Sequence, residues 1–123
     1  MLFKVGVKMP KRLDARMWVA LDAIEYAWAA VVDDPNGVPE EPTITSWADS
    51  QHGTNSWHLR TGLPAGDGRA VDVRTKTLPR ELVQVFYRNV QRRLTLLGFD
   101  VVLEDLNGEQ EHLHVELDGR ADA

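Results

Sequence analysis

Two segments of the chain carry apolar residues at spacings of three and four, and they constrain the fold more than any other feature. The first segment runs from about Asp14 to Val32, and the second from about Pro79 to Leu97. This spacing places apolar side chains on one face of a helix, which must then be buried against another element. The expected core positions are Met17, Leu21, Ile24, Trp28 and Val31 in the first segment, and Val83, Phe86, Tyr87, Val90, Leu94 and Leu97 in the second.

Start and stop signals frame the second helix. Thr77 can cap its beginning, Pro79 suits its first turn, and Gly98 suits a left-handed stop at its end. The first helix is expected to end at the turn-forming cluster 33–37.

Short β-prone segments lie around the helices. Leu2–Val7 and Arg69–Arg74 alternate in the manner of strands, and Thr43–Thr45 is a shorter candidate. The chain closes with a predicted hairpin made of Phe99–Glu104, a turn at Asn107 and Gly108, and His112–Leu117. Two helices and about five strands predict an α+β fold, in which a small, mostly antiparallel sheet shares one core with the helices.

Length and composition limit the other expectations. A chain of 123 residues fits one domain spanning 1–123. The net charge of -5 argues against a nucleic-acid partner, because phosphate binding needs clustered Lys and Arg. No apolar run approaches the roughly 20 residues that a membrane span requires, and no secretory signal pattern is visible. We expect a monomer that is synthesised in the cytoplasm and does not bind a membrane.

The segment 35–68 is rich in Gly, Pro, Asn, Ser and Asp, yet it also carries Trp47, His52, Trp57 and His58. A solvated linker rarely needs such residues, and long ordered loops in small domains are often functional. We interpret this segment as the wall of a site.

The four histidines lie between positions 52 and 114, outside both predicted helices. His112 and His114 are two apart on a strand and should project from one face. If Val71 and Val73 face the core, Asp72 faces a cleft or solvent. Since the chain has no cysteine, any metal must be held by His and carboxylate side chains. A catalytic zinc ion takes three such ligands and keeps one position for water.

The motif order is Ser56-Trp57-His58, then Gly68-Arg69-Ala70-Val71-Asp72, then an acid directly before His112-Leu113-His114. It resembles the zinc DD-peptidases and LD-endopeptidases of the Hedgehog/DD-peptidase fold, which include D-Ala-D-Ala carboxypeptidases and phage endolysin peptidases. The resemblance covers roughly Ile44 to Leu117. It implies a zinc-dependent metallopeptidase that hydrolyses amide bonds in the stem or cross-bridge peptides of peptidoglycan.

The resemblance also implies roles for individual residues. The Zn²⁺ ligands would be His58, Asp72 and His114, the general base Glu111, and the group beside the substrate carbonyl oxygen His112. Apart from the resemblance, His52 could line the cleft or bind substrate, with a turn residue beside Gly53 as the alternative. Ser56 could orient the region of His58 by hydrogen bonding, and both are candidate substrate-binding residues.

The base assignment depends on where the last strand begins. Glu111 stands at odd spacing from His114, so it reaches the site only if that strand starts near His112. An earlier start would favour Glu109 or Glu104. Glu116 shares the face of the two histidines and is interpreted as an outer or surface group.

Two departures from the family pattern bear on function. His58 and Asp72 are separated by Leu59–Val71, a longer segment than the family has, so residues near 61–66 must loop out. The family's carboxylate-binding arginine is missing at Thr45–Trp47. This favours an endopeptidase over a carboxypeptidase, unless Arg60, Arg69 or Arg74 replaces it. Arg74 is our candidate for substrate binding.

Alternatives remain open at this stage. The chain could be a non-catalytic zinc-binding or structural module of the same fold, such as a virion component, or a zinc hydrolase acting on another amide. A peptidase of this type would act at the cell wall after release or as part of a virion.

Overall fold

The computed structural model of the protein describes residues 1–9, 13–32, 38–47 and 69–118. This part of the chain contains two α-helices and five β-strands, which confirms the predicted α+β class. The helices are α1 (Met17–Val31) and α2 (Arg80–Leu94), and a short 3-10 turn (Thr95–Leu97) follows α2. The strands are β1 (Leu2–Phe3), β2 (Thr43–Trp47), β3 (Ala70–Arg74), β4 (Phe99–Glu104) and β5 (His112–Leu117). Neither described helix combines the length and apolar character needed to cross a membrane.

The strands form one sheet in the order β1-β2-β3-β5-β4. The pair β1 and β2 is parallel, and the other three pairs are antiparallel. The prediction of a mostly antiparallel sheet is therefore confirmed for the described strands. Because β5 lies between β3 and β4, residues 112–116 have a direct cross-strand neighbour on each side.

Both helices pack on one face of the sheet and form the core with it. Trp28 of α1 and Phe86 of α2 meet edge to face, with ring centroids 5.3 Å apart. Apolar residues at alternate positions complete this core from the strand side: Val71, Val73, Phe99, Val101, Leu113, Val115 and Leu117. The intervening strand residues point to the opposite face.

The ends of α2 differ from the prediction. The helix begins at Arg80, so Pro79 occupies the capping position, and no side-chain hydrogen bond caps this end. Thr77 is therefore not the cap. At the other end, the 3-10 turn breaks the helical period, which leaves Leu97 53% exposed instead of buried. Gly98 has a φ of 92°, as expected for a left-handed stop.

The first strand is shorter than predicted. It ends at Phe3, because the chain turns immediately afterwards and the amide of Val7 donates a 2.9 Å hydrogen bond to the carbonyl of Lys4. Gly6 in this turn has a φ of 86°, a conformation that side-chain-bearing residues rarely adopt.

The turn between β4 and β5 is centred where the sequence predicted it. The amide of Gly108 donates a 2.8 Å hydrogen bond to the carbonyl of Asp105, and Asn107 has a φ of 64°. A Cβ atom at position 108 would lie only 2.2 Å from Oδ1 of Asp105, so a larger residue here would have to displace the Asp105 side chain. The strand β5 then starts at His112, the start on which the assignment of Glu111 as a base depended.

Candidate metal and catalytic site

The sheet face opposite the helices carries polar side chains in cross-strand rows. Asp72 on β3 is the direct partner of His114 on β5. The next row along β5 places His112 between Arg74 and Glu104, and the row on the other side places Glu116 between Ala70 and Asp100. Register alone therefore gathers acids, two imidazoles and one guanidinium on one face.

Asp72 and His114 are in direct contact. Nδ1 of His114 lies 2.6 Å from Oδ1 of Asp72, and both side chains are 18% exposed. His112 stands beside this pair, with its Nε2 atom 3.7 Å from the same Asp72 oxygen. The structure thus brings together three of the residues that the motif singled out.

The second ring nitrogen of His114 faces another carboxylate. Its Nε2 atom lies 3.5 Å from Oε1 of Glu116. Burial by itself lowers the pKa of His114, but the hydrogen bonds to Asp72 and Glu116 outweigh it and raise this pKa to about 10. In the absence of a metal ion, the ring is thus a cation held between two carboxylates.

His112 has a defined tautomer. Its Nδ1 atom lies 2.6 Å from the carbonyl oxygen of Gln110, and because a carbonyl only accepts, Nδ1 must carry the hydrogen. In the neutral ring Nε2 then keeps its lone pair. This atom faces Asp72 and lies 3.7 Å from Oε1 of Glu104. His112 can therefore accept a proton at a position next to Asp72.

Glu111 does not join this cluster. Its side chain is fully buried, with Oε2 2.7 Å from Nη1 of Arg80 and 2.7 Å from the backbone nitrogen of Asn107. Oε1 accepts a 2.5 Å hydrogen bond from the hydroxyl of Thr75. Burial raises the pKa of Glu111, but these donors together lower it below its usual value. Three donors thus occupy the carboxylate in this structure, and the role of Glu111 as general base stays a prediction.

The donors of Asp72 and His114 suit zinc. Zinc binds imidazole nitrogen and carboxylate oxygen at about 2.0 to 2.2 Å, so two ligands of a tetrahedral ion lie about 3.3 Å apart. Oδ1 of Asp72 and Nδ1 of His114 lie 2.6 Å apart, and both atoms would serve as ligands if a metal ion replaced the proton between them. Among the described residues no group of three His, Asp or Glu could hold a metal by itself. The third predicted ligand, His58, lies outside them.

The remaining predicted site residues are His52, Ser56 and Arg74, and the structure describes one of them. His52 and Ser56 lie outside the described ranges. Arg74 is described and half-buried, on the same face as the histidines and directly across from His112.

The contacts of two acids, Glu104 and Glu116, with the imidazoles were not predicted from the sequence. The available signal was strand parity: Glu116 stands two residues after His114, and Glu104 pairs with His112 across the hairpin. Their contacts with the imidazoles follow from that register. Comparison with models of protein families and with curated proteins found no match to this chain.

Proposed function

We propose that the protein is a zinc-dependent metallopeptidase of the Hedgehog/DD-peptidase fold that hydrolyses amide bonds in the stem or cross-bridge peptides of peptidoglycan. The main support for this proposal is the contact between Asp72 and His114 on the polar face of the sheet. The two possible metal-binding atoms, Oδ1 of Asp72 and Nδ1 of His114, lie 2.6 Å apart. These are two of the three ligands that the motif order implies. The peptide substrate is inferred from the resemblance of the motifs, and action at the cell wall after release, or as a virion component, goes with it.

His58, Asp72 and His114 would hold the metal ion. Bound there, zinc would acidify a water molecule and polarise the carbonyl of the scissile amide. Asp72 and His114 lie on neighbouring central strands of one sheet, so their donor atoms are held by backbone pairing on both sides. Such support limits the movement that the two groups would need to reach the spacing of metal ligands.

In this proposal, His112 transfers the proton from the attacking water to the leaving amine. Gln110 fixes its Nδ1–H, so Nε2 is free to take a proton from the attacking water and to deliver it to the leaving amine. Glu104, 3.7 Å from this Nε2, stabilises the imidazolium that forms between the two steps. Glu111 supports the turn before β5 and acts through the position of His112.

Arg74 supplies substrate recognition. Its backbone pairs with that of His112, so both side chains project from the same face, and a guanidinium binds a carboxylate through two parallel hydrogen bonds. Peptidoglycan peptides carry free carboxylates near their amide bonds. Arg74 would therefore orient an anionic group of the peptide while the amide lies over Asp72 and His114. Endopeptidase action remains the favoured mode, because the family's own arginine is missing from Thr45–Trp47.

Digestion of purified peptidoglycan tests this function. The zinc-loaded wild-type protein should release new amino groups and leave the glycan strands intact, as seen by mass spectrometry of the products. The His114→Ala protein should release none. New reducing sugar ends without amino groups would contradict the peptidase proposal. No product of either kind would favour the non-catalytic module.

A further inference from the structure

We propose that Glu116 is a positioning residue of the metal centre, which accepts a hydrogen bond from Nε2–H of His114 and so keeps Nδ1 free for the metal. The inference deepens the proposed function and rests on it, because it assigns the residue that orients one of the metal ligands. Glu116 itself does not touch the metal or the substrate.

The geometry around His114 gives each ring nitrogen a different partner. Nδ1 lies 2.6 Å from Asp72, the other ligand, whereas Nε2 lies 3.5 Å from Glu116. A neutral imidazole carries one proton, so the partner at one nitrogen decides which nitrogen is left to bind a metal. In the metal-bound ring, a carboxylate at Nε2 would hold the one remaining proton there and leave the lone pair of Nδ1 for the metal ion.

Burial fixes the Glu116 carboxylate in this position. The residue is only 8% exposed, and its backbone is paired with Ala70 on one side and Asp100 on the other. A carboxylate is rarely buried to this extent unless it has a partner. In the described part of the chain, the ion-pair partner of Glu116 is His114.

Glu104 offers a matched comparison on the same face. Its Oε1 atom lies 3.8 Å from Nδ1 of His114, on the metal side of the ring, and its side chain is 47% exposed. Removing the charge of Glu104 therefore changes the electrostatic potential near the ligands without touching the Nε2 hydrogen bond. Comparing variants of Glu116 with a variant of Glu104 therefore distinguishes a positioning effect from a general effect of negative charge.

Two conservative variants of Glu116 sharpen the distinction. Glu116→Gln removes the charge but keeps a carbonyl oxygen at the same reach, so it still accepts the hydrogen bond. Glu116→Asp keeps the charge but withdraws the carboxylate by one methylene from a contact that is already 3.5 Å long. Positioning predicts that the Asp variant is the more damaged of the two, whereas a charge effect predicts the reverse.

The experiment is a zinc titration of the full chain in competition with a chromophoric chelator. Loss of an orienting partner weakens metal binding by about 10- to 100-fold, and we expect this for Glu116→Asp. Glu116→Gln should bind zinc more tightly than Glu116→Asp, and Glu104→Gln should weaken zinc binding less than Glu116→Asp does. In the zinc-loaded wild type, ¹⁵N NMR of His114 should show a protonated Nε2 and a metal-bound Nδ1. Circular dichroism verifies that each variant is folded.

Three results would overturn the inference. Equal zinc affinity in wild type and Glu116→Asp would remove Glu116 from the centre, and so would a Glu104→Gln protein as weak as Glu116→Asp. An Nε2-bound metal in the NMR spectra would reverse the assigned tautomer. A wild-type chain that binds no zinc at all would overturn the proposed function and this role together, which distinguishes that outcome from the first three.

Discussion

Nη1 of Arg80 lies 2.7 Å from Oε2 of Glu111, and this ion pair joins the first residue of α2 to the residue before β5. Arg80 also donates to the carbonyls of Thr75 and Leu78, at 3.1 Å each. The pair therefore ties the loop after β3, the start of α2 and the β4–β5 turn together. The junction lies directly before His112, the first residue of β5.

Glu111→Gln should destabilise the fold by about 1 to 3 kcal/mol, because the new amide group must face donors that the carboxylate now satisfies. Denaturant unfolding measures this. The matched control is Glu104→Gln, whose side chain is 47% exposed and whose stability should change by no more than about 0.5 kcal/mol. A Glu111→Gln protein of full stability that keeps its zinc but hydrolyses about 10²- to 10⁴-fold more slowly would restore Glu111 as the base.

The pKa of Glu111 predicts how stability changes in acid. Burial raises this pKa, but Arg80, Thr75 and Asn107 together lower it below the ordinary value of 4.5. A carboxyl whose pKa is lowered on folding stabilises the protein above its unfolded pKa, and the contribution is lost as the pH falls through the folded pKa. The stability difference between wild type and Glu111→Gln should therefore be full at pH 7 and shrink below about pH 4.5. A difference that is constant from pH 7 to strongly acidic solution would contradict this.

His112→Ala should retain its zinc and lose hydrolysis by about 10²- to 10⁴-fold, the usual contribution of a general base. The reason is that His112 faces the ligand pair from 3.7 Å while its tautomer leaves a lone pair on Nε2. Metal content and peptide release are measured on the same preparation. Loss of zinc in this variant would instead make His112 a ligand.

Arg74→Met should weaken binding of peptides that carry a carboxylate next to the scissile amide. Two charge-assisted hydrogen bonds contribute about 1.5 to 3 kcal/mol, so KM should rise by about 10- to 100-fold. The same peptide with its carboxylate converted to an amide should bind wild type and variant equally. If the variant changes KM for both peptides alike, Arg74 does not recognise the carboxylate.

The helices and the hairpin could be predicted because local spacing encodes them. Met17 to Trp28 and Val83 to Leu94 keep the helical period, and Gly98 marks the stop. Leu97 continues the same period in the sequence, yet the 3-10 turn rotates it out of the core, since three residues per turn move it off the buried stripe.

The parts of the site that could be predicted are those that follow from the alternation of side chains along a strand. Alternation along the strand predicted that His112 and His114 share a face, whereas the family resemblance added Asp72 to them. The three meet because β3 pairs with β5. The partner of Glu111 could not be predicted, since Arg80 lies 31 residues away along the chain and no local pattern connects the two. β5 starts at His112, which is the condition under which Glu111 was expected to reach the site. The carboxylate of Glu111 instead forms an ion pair with Arg80.

Zinc content measured by elemental analysis of protein purified without chelator tests the central claim most directly. We predict about one zinc ion per wild-type chain, and a loss of most of it in each of Asp72→Ala, His114→Ala and His58→Ala, because each removes one of three ligands. Glu111→Ala serves as a control that removes a carboxylate outside the cluster, and its folded protein should keep the metal. A wild-type chain without zinc, or a His58→Ala protein with full zinc, would contradict the metal centre proposed for this fold.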